Sequence, residues 1–421
     1  MAYHSQAALG PWRTQLDFIA DDEDQNLHLQ DAEAVTATVS ATAPVFNPRK
    51  IYLDAFQQES GGAGGRYPAA NAAINSNIYN GTLVWNYTGH GGPQRLAEEV
   101  VLDQTIVANW KNENRLPLLI TATCDFATYD NPLIYSLGED LLVRPRTGAI
   151  ALMTTSRVVF ANSNRVMNTN YVKTALERDA NGNYKTLGEA VQASKNLTYT
   201  TTGDVVNNRK FSLLGDPAMR LSFPSLQVAL SAVNGKPLSS QPDTLGAAEM
   251  VTLEGEVQDQ AGALQTSFNG RVHLSLYDKE RSVTTLGNDA GSLPVAYPDL
   301  SSVLFRGKVT ATGGRFKASF RLPKDINFQY GAGKLSLYAE DGSRDGAGYS
   351  KNILIGGTAQ GGTADNIGPE IRAYLNDERF VNGSLSNEAP ILLLKLSDSS
   401  GINTGSGSIN HDIVATLDNN N

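Results

Sequence analysis

One cysteine and one glycine-flanked histidine are the residues of this chain best suited to covalent chemistry. Cys124 ends the mostly apolar run 116–124, Leu-Pro-Leu-Leu-Ile-Thr-Ala-Thr-Cys. His90 sits in Gly89-His90-Gly91-Gly92, directly after the strand-like run 81–88, Gly-Thr-Leu-Val-Trp-Asn-Tyr-Thr. A thiol acts as a nucleophile at neutral pH when a nearby base takes its proton, and histidine is the usual base. A free cysteine in a strand is more often a small core residue. His90 argues against that reading here. It is one of five histidines, with His4, His28, His273 and His411, and its glycines permit the close backbone approach a substrate-facing loop needs. The backbone N–H groups of Gly91 and Cys124 lie at strand-to-loop corners and are the expected oxyanion donors. Gly92, Glu98 and Asp125 are expected at the substrate cleft, although Glu98 and Glu99 also fit a solvent-facing helix start.

The elements around these residues alternate. Strands are expected at 16–20, 49–53, 82–87, 117–123 and 148–153. Helices are expected at 28–41, 68–80, 96–109, 134–142, 163–178 and 186–197. Such alternation predicts a mainly parallel sheet flanked by helices, which delivers His90 and Cys124 from neighbouring strand ends. In open α/β sheets that edge is where ligands bind. The Gly/Ser-rich stretch 57–66 reads as a loop long enough to border a cleft. Leu214-Gly215-Asp216-Pro217 reads as a structural turn.

After Pro224 the pattern becomes all-β. Runs at 226–230, 250–257, 272–277, 315–322 and 333–339 alternate in polarity, with turns between them and no long helix, which is a β-sandwich signature. Residues 356–363 have the composition of a flexible linker. The expected division is therefore an α/β unit over 1–224, an immunoglobulin-like sandwich over 225–357, and a linker with an incomplete β segment over 358–421. The β region, whose histidines are His273 and His411, is expected to serve as a docking and spacing module apart from the chemistry.

Composition narrows the function. The chain has 421 residues, enough for two or three domains, with 41% hydrophobic and 18% charged residues. Its net charge of −9 and lack of a basic stripe argue against nucleic-acid binding. No run of 18 apolar residues suggests a membrane span. The start, Met1-Ala2-Tyr3-His4, lacks the features of a signal peptide. A single cysteine precludes an internal disulfide. No His/Cys spacing suits zinc, so no catalytic metal is expected. The acidic run Asp21-Asp22-Glu23-Asp24 has three readings: a solvated loop, a group orienting His90, or a structural Ca²⁺ site at Asp21, Asp22 and Asp24.

Residues 10–224 resemble the gingipain family of cysteine peptidases. The matching runs are 86–92 (Asn-Tyr-Thr-Gly-His-Gly-Gly), 121–126 (Thr-Ala-Thr-Cys-Asp-Phe), 148–152 (Gly-Ala-Ile-Ala-Leu) and 213–217 (Leu-Leu-Gly-Asp-Pro). Further motifs at 20–24, 50–54, 66–68, 268–270, 277–279 and 322–326 resemble the branch that acts as C-terminal signal peptidase, or sortase, of the type IX secretion system. The resemblance implies a caspase-like fold, His90 as general base and Cys124 as nucleophile. It implies an upstream acid that orients the histidine, best matched by Asp22 or Asp21. It implies that a first lobe of the peptidase unit precedes this segment. It implies removal of C-terminal sorting domains from exported cargo and transfer of that cargo to the bacterial surface. The partners would be sorting-domain cargo and other type IX components, and the location would be the extracellular face of the outer membrane. No cofactor is implied. Two alternatives stay open: a general secreted gingipain-like protease, and a catalytically inactive scaffold on the same fold.

Overall fold

A computed structural model describes residues 2–62, 64–239, 241–289, 292–358 and 369–398. Six strands build the first sheet: β1 (Gln15–Ala20), β2 (Asn47–Tyr52), β3 (Val84–Thr88), β4 (Leu118–Ala122), β5 (Ala151–Thr155) and β6 (Phe211–Leu214). Their spatial order is β6-β5-β4-β3-β1-β2. All neighbours run parallel except the edge pair β5–β6. Strands β1 and β3 to β5 are buried along nearly their whole length, as apolar runs in a two-faced sheet must be.

Five helices cover the two faces: α1 (Leu27–Thr42), α2 (Pro68–Asn80), α3 (Leu137–Val143), α4 (Ala161–Ala175) and α5 (Leu187–Thr202). One face packs Leu16, Phe18, Leu118 and Ile120 against Val35, Val39, Met167 and Tyr171. The other packs Ile19, Trp85 and Leu119 against Ile74, Ile78 and Leu141. Capping boxes at Ser136/Glu139 and Thr186/Glu189 start α3 and α5.

The helix expected over 96–109 does not form. Ala97 and Val100 take positive φ values of 57° and 60°, which no right-handed helix allows. The segment instead makes a small ribbon, 91–92 with 95–96 and 102–103, and a short helix at Gln104–Ala108. Strand β6 falls at the start of what reads from sequence as a turn, and the 57–66 loop contains a hairpin of Glu59–Gly61 and Gly64–Arg66.

The all-β unit follows. A single sheet, closed by the pairing of 226–233 with 345–350, runs through two groups, 226–233, 250–258 and 315–321, then 303–312, 270–277, 334–340 and 345–350. Two residue pairs join them at each seam, 226–227 with 346–347 and 311–312 with 315–316. Alternate residues, such as Val251, Leu253 and Val257, fill the space between. The expected succession of an α/β sheet and a sandwich-type β unit is the one observed. Beyond it, Glu370–Leu375 pairs antiparallel with Leu392–Ser397. Most of the expected linker, and His411, lie outside the described residues.

The expectation that the β unit stands apart from the chemistry needs correction. A hairpin of Arg281–Thr284 and Ala296–Asp299 reaches back over the C-terminal edge of the first sheet. Tyr297 packs with Ala20, Leu29 and Tyr52, its ring centroid 4.9 Å from that of Tyr52. Buried Asp54 accepts hydrogen bonds from the N–H groups of Gly287 (3.0 Å) and Asn288 (2.8 Å). Ser292 Oγ donates to the Asp22 carbonyl at 3.0 Å.

Candidate active site

The strand order places a switch point between β1 and β3, where the chain has turned one way to β2 and then the other way to β3. The crevice outside that point is the expected binding place of such a sheet. Three loops leave the sheet there. In the ladders, Ala20 is level with Thr88 and Thr88 with Ala122. Two residues farther on, just beyond the ends of these three adjacent parallel strands, stand Asp22, His90 and Cys124.

The loops also touch. A Cβ on Gly91 would lie 2.8 Å from Thr123 Oγ1, so the residue after His90 packs directly on the residue before Cys124. Gly89 likewise lets the loop close on Asp21, whose Cβ any side chain there would strike. These contacts are the physical reason for the glycines around His90. Gly91 and Gly92 pair with Leu96 and Arg95 in the small ribbon. Cys124 is half-buried, with Sγ 3.7 Å from the Val159 carbonyl. Asp125 has φ of 29°, sparsely populated for a non-glycine residue, and its N–H donates to the Arg157 carbonyl at 3.2 Å. An open cleft of about 380 Å³ adjoins this corner, lined by Asp125, Thr128, Asp130, Asn131, Pro132, Ser156, Arg157 and Val158. Asp125 is one of its lining residues. The Asp130–Arg157 ion pair in its wall, at 2.5 Å, carries no signal in the sequence.

The acids divide the work differently from the sequence expectation. The carboxylate on the His90 ring is that of Asp24, with Oδ2 3.0 Å from Nε2. Asp21 Oδ2 accepts the His90 backbone N–H at 2.7 Å, and the Tyr87 hydroxyl donates to the His90 carbonyl at 2.6 Å. Asp22 accepts from the Tyr67 hydroxyl. Asp22 is therefore corrected as the ring's partner, because Tyr67 holds its carboxyl elsewhere. Asp24, Gln25 and Asn26 all take left-handed backbone, with φ of 57°, 58° and 63°, and this turns the chain so that Asp24 faces the imidazole.

Behind this loop lies a second group. One carboxylate oxygen each from Asp21, Asp22, Glu23 and Glu99 lie within 4.8 Å of one another. Asp24 is not among them, so the expected calcium set of Asp21, Asp22 and Asp24 is split between two clusters. Glu99 was expected to face solvent; it is 6% exposed, whereas Glu98 is exposed. Burial, reinforced by neighbouring acids, pushes the Asp22 carboxyl up to about 8 and that of Glu99 to about 7, and raises Asp21 well above the usual range. His28, at the start of α1, is also buried and stacks edge-on against His90 with centroids 5.0 Å apart. Burial first, then the His90 neighbour, lowers His28 to about 4, so it is neutral at pH 7.

None of the curated protein sequences matches the chain significantly. Among solved structures, dimeric latent PorU from Porphyromonas gingivalis shares 30% identity over 64% of this chain and 26% of its own, with a TM-score of 0.37. The Arg-specific cysteine proteinase gingipain R (RgpB) shares 14% identity over 84% of this chain and 68% of its own, at a TM-score of 0.43. The complex of pro- and mature domains of Porphyromonas gingivalis RgpB gives 14%, 84%, 70% and 0.43 on the same measures. The chain thus spans about a quarter of the PorU chain it matches. The sequence profile of peptidase family C25 matches residues 1–222, more than half of the chain. The chain belongs to peptidase family C25, the gingipain family of cysteine peptidases.

Proposed function

We propose that the chain carries the chemical centre of a cysteine endopeptidase or transpeptidase, with Cys124 as nucleophile and His90 as base. The observation that supports this most is the register of β3 on β4, which ends level at Thr88 and Ala122, with the Gly91–Thr123 contact beyond it. The Cys124 thiolate attacks the scissile carbonyl carbon, a C–S bond forms, and the carbonyl oxygen takes the negative charge. The N–H groups of Gly91 and Cys124 are the proposed donors to that oxygen. Collapse breaks the C–N bond, His90 protonates the leaving amine, and a thioester remains. Water or an acceptor amine then attacks, His90 takes its proton, and the thiolate departs. Asp24, beside the ring, holds its orientation and offsets the charge of the imidazolium. The peptide binds along the cleft that begins at Asp125, with Gly92 and exposed Glu98 on the His90 side. These steps require no cofactor.

The substrate class we propose is exported cargo bearing a C-terminal sorting domain. The enzyme would remove the signal and help attach the cargo to the bacterial surface, alongside other type IX components on the extracellular face of the outer membrane. The 30% identity to PorU supports this reading over a general secreted protease. Replacing Cys124 by Ala should lower cleavage roughly 10⁴-fold or more with the circular-dichroism spectrum kept. Turnover retained by a folded Cys124→Ala protein would end the cysteine-peptidase reading. Equal rates on denatured proteins lacking a sorting domain would end the cargo-specific one.

A further inference from the structure

Asp24, His28 and His90 meet on the open side of the β1/β3 crevice and contribute one carboxylate and two imidazoles. Asp24 Oδ2 lies 3.0 Å from His90 Nε2 and 3.5 Å from His28 Nε2. One donor atom from each of the three lies within 4.8 Å of the others. A zinc ion with nitrogen and oxygen ligands at about 2.0–2.1 Å in a tetrahedron has ligand-to-ligand edges of about 3.3 Å. The two measured separations bracket that value.

A second observation concerns His28 alone. It is 5% exposed, yet neither ring nitrogen makes a hydrogen bond among the described residues, Asp24 Oδ2 standing 3.5 Å from Nε2. A buried imidazole left unpaired is costly and calls for a partner. Its Nε2 faces the carboxylate that also holds His90. By contrast, Asp24 and His90 are both half-exposed, which leaves the site open to an ion from solvent. The acids Asp21, Asp22, Glu23 and Glu99 behind it add negative potential that favours a cation.

We propose that Asp24, His28 and His90 form a site for a borderline transition-metal cation of the Zn²⁺ type, with one coordination position left to water. Two imidazoles and one carboxylate suit zinc, whereas Ca²⁺ and Mg²⁺ demand oxygen ligands throughout. Metal on His90 Nε2 takes the place of the N–H that otherwise donates to Asp24 and leaves a neutral ring bearing its proton on Nδ1, which can no longer accept one. Occupancy of the site therefore silences the base reversibly and without contact to the thiol. This consequence rests on the peptidase reading; the site itself does not.

The test uses the Cys124→Ala protein, in which no thiolate can capture the ion. Calorimetric titration with Zn²⁺ should give one equivalent, and Co²⁺ should give the visible absorption of a four-coordinate ion. Asp24→Ala, at an exposed position, and His28→Asn should each weaken binding at least about tenfold. On the cysteine-containing protein the same two changes should raise the Zn²⁺ concentration needed to slow Cys124 alkylation. Unchanged affinity in both variants would overturn the site, as would displacement of Zn²⁺ by equimolar Ca²⁺, which would put the ion among the carboxylates instead. If Zn²⁺ binds as stated but the cysteine-containing protein cleaves no peptide, the site stands and the peptidase reading falls.

Discussion

Asp345 and Asp22 are both buried carboxylates where the β unit meets the α/β unit, and the fold treats them in opposite ways. Asp345, 4% exposed, accepts from Arg13 Nη1 at 2.7 Å and from the Tyr338 hydroxyl at 2.9 Å. Nearby, Lys334 Nζ donates to the Phe46 carbonyl at 2.6 Å and Asn47 to Ser336 at 3.0 Å. Asp22, 1% exposed, has Tyr67 on one oxygen and, among the described residues, no partner on the other, and its neighbours are acids. Glu99 Oε2, Thr123 Oγ1 and both nitrogens of His28 are likewise unpartnered. Folded chains pair nearly all their buried polar groups, so the exceptions carry information. At the Asp345 seam these polar groups, Asn47 Oδ1 apart, are matched because their task is to hold two units together. At the strand ends of the first sheet they are left open, and that edge also carries His90 and Cys124.

The contrast can be broken most severely at the seam. Replacing Asp345 by Ala leaves Arg13 buried without its partner and should cost about 3–5 kcal/mol. Chemical denaturation would measure this. Below the lowered midpoint, Cys124 alkylation should be unchanged; a slowed rate would mean that the seam also shapes the active edge.

At the open edge the expected effects are on chemistry. Asp24→Asn removes the charge beside the His90 ring and should slow turnover on the order of tenfold to a hundredfold. Asp22→Asn should slow it less, because Asn can still accept from Tyr67. Steady-state rates that rank the two the other way would return the orienting role to Asp22.

The smallest effect is on stability. Glu99 holds its proton in the folded chain up to about pH 7, whereas the unfolded chain releases it near its ordinary value of 4.5. The stability from this raised carboxyl is therefore present in full below about pH 4.5 and declines as pH rises through about 7. Glu99→Gln should match the parent at pH 4 and exceed it at pH 8 by roughly 2–4 °C, measured by thermal unfolding with chelator present. A midpoint difference that does not change between those pH values would show that Glu99 is not held in its neutral form.

His90 and Cys124 are legible in the sequence because each closes an apolar run, and a parallel sheet converts such endings into one edge. The acids are not legible in the same way. Asp24 reaches the ring through three consecutive left-handed residues that Asp-Gln-Asn does not announce. Glu99 was hidden by the helical texture of 96–109, which two positive φ values interrupt. His28 reads as an ordinary helix-start residue; the ring it meets is that of His90, on a loop far away in sequence. The edge strand 211–214 was missed because it is short and runs straight into Gly215-Asp216-Pro217. Local pattern thus reveals where strands end, while long-range docking decides which polar groups gather there.

The central claim is that His90 activates Cys124. The most direct measurement is the rate of iodoacetamide alkylation of Cys124 against pH, in the parent and in a folded His90→Ala protein. The account predicts that His90→Ala slows alkylation about tenfold or more at neutral pH and changes the shape of the rate–pH profile. Superimposable profiles for the two proteins would contradict it.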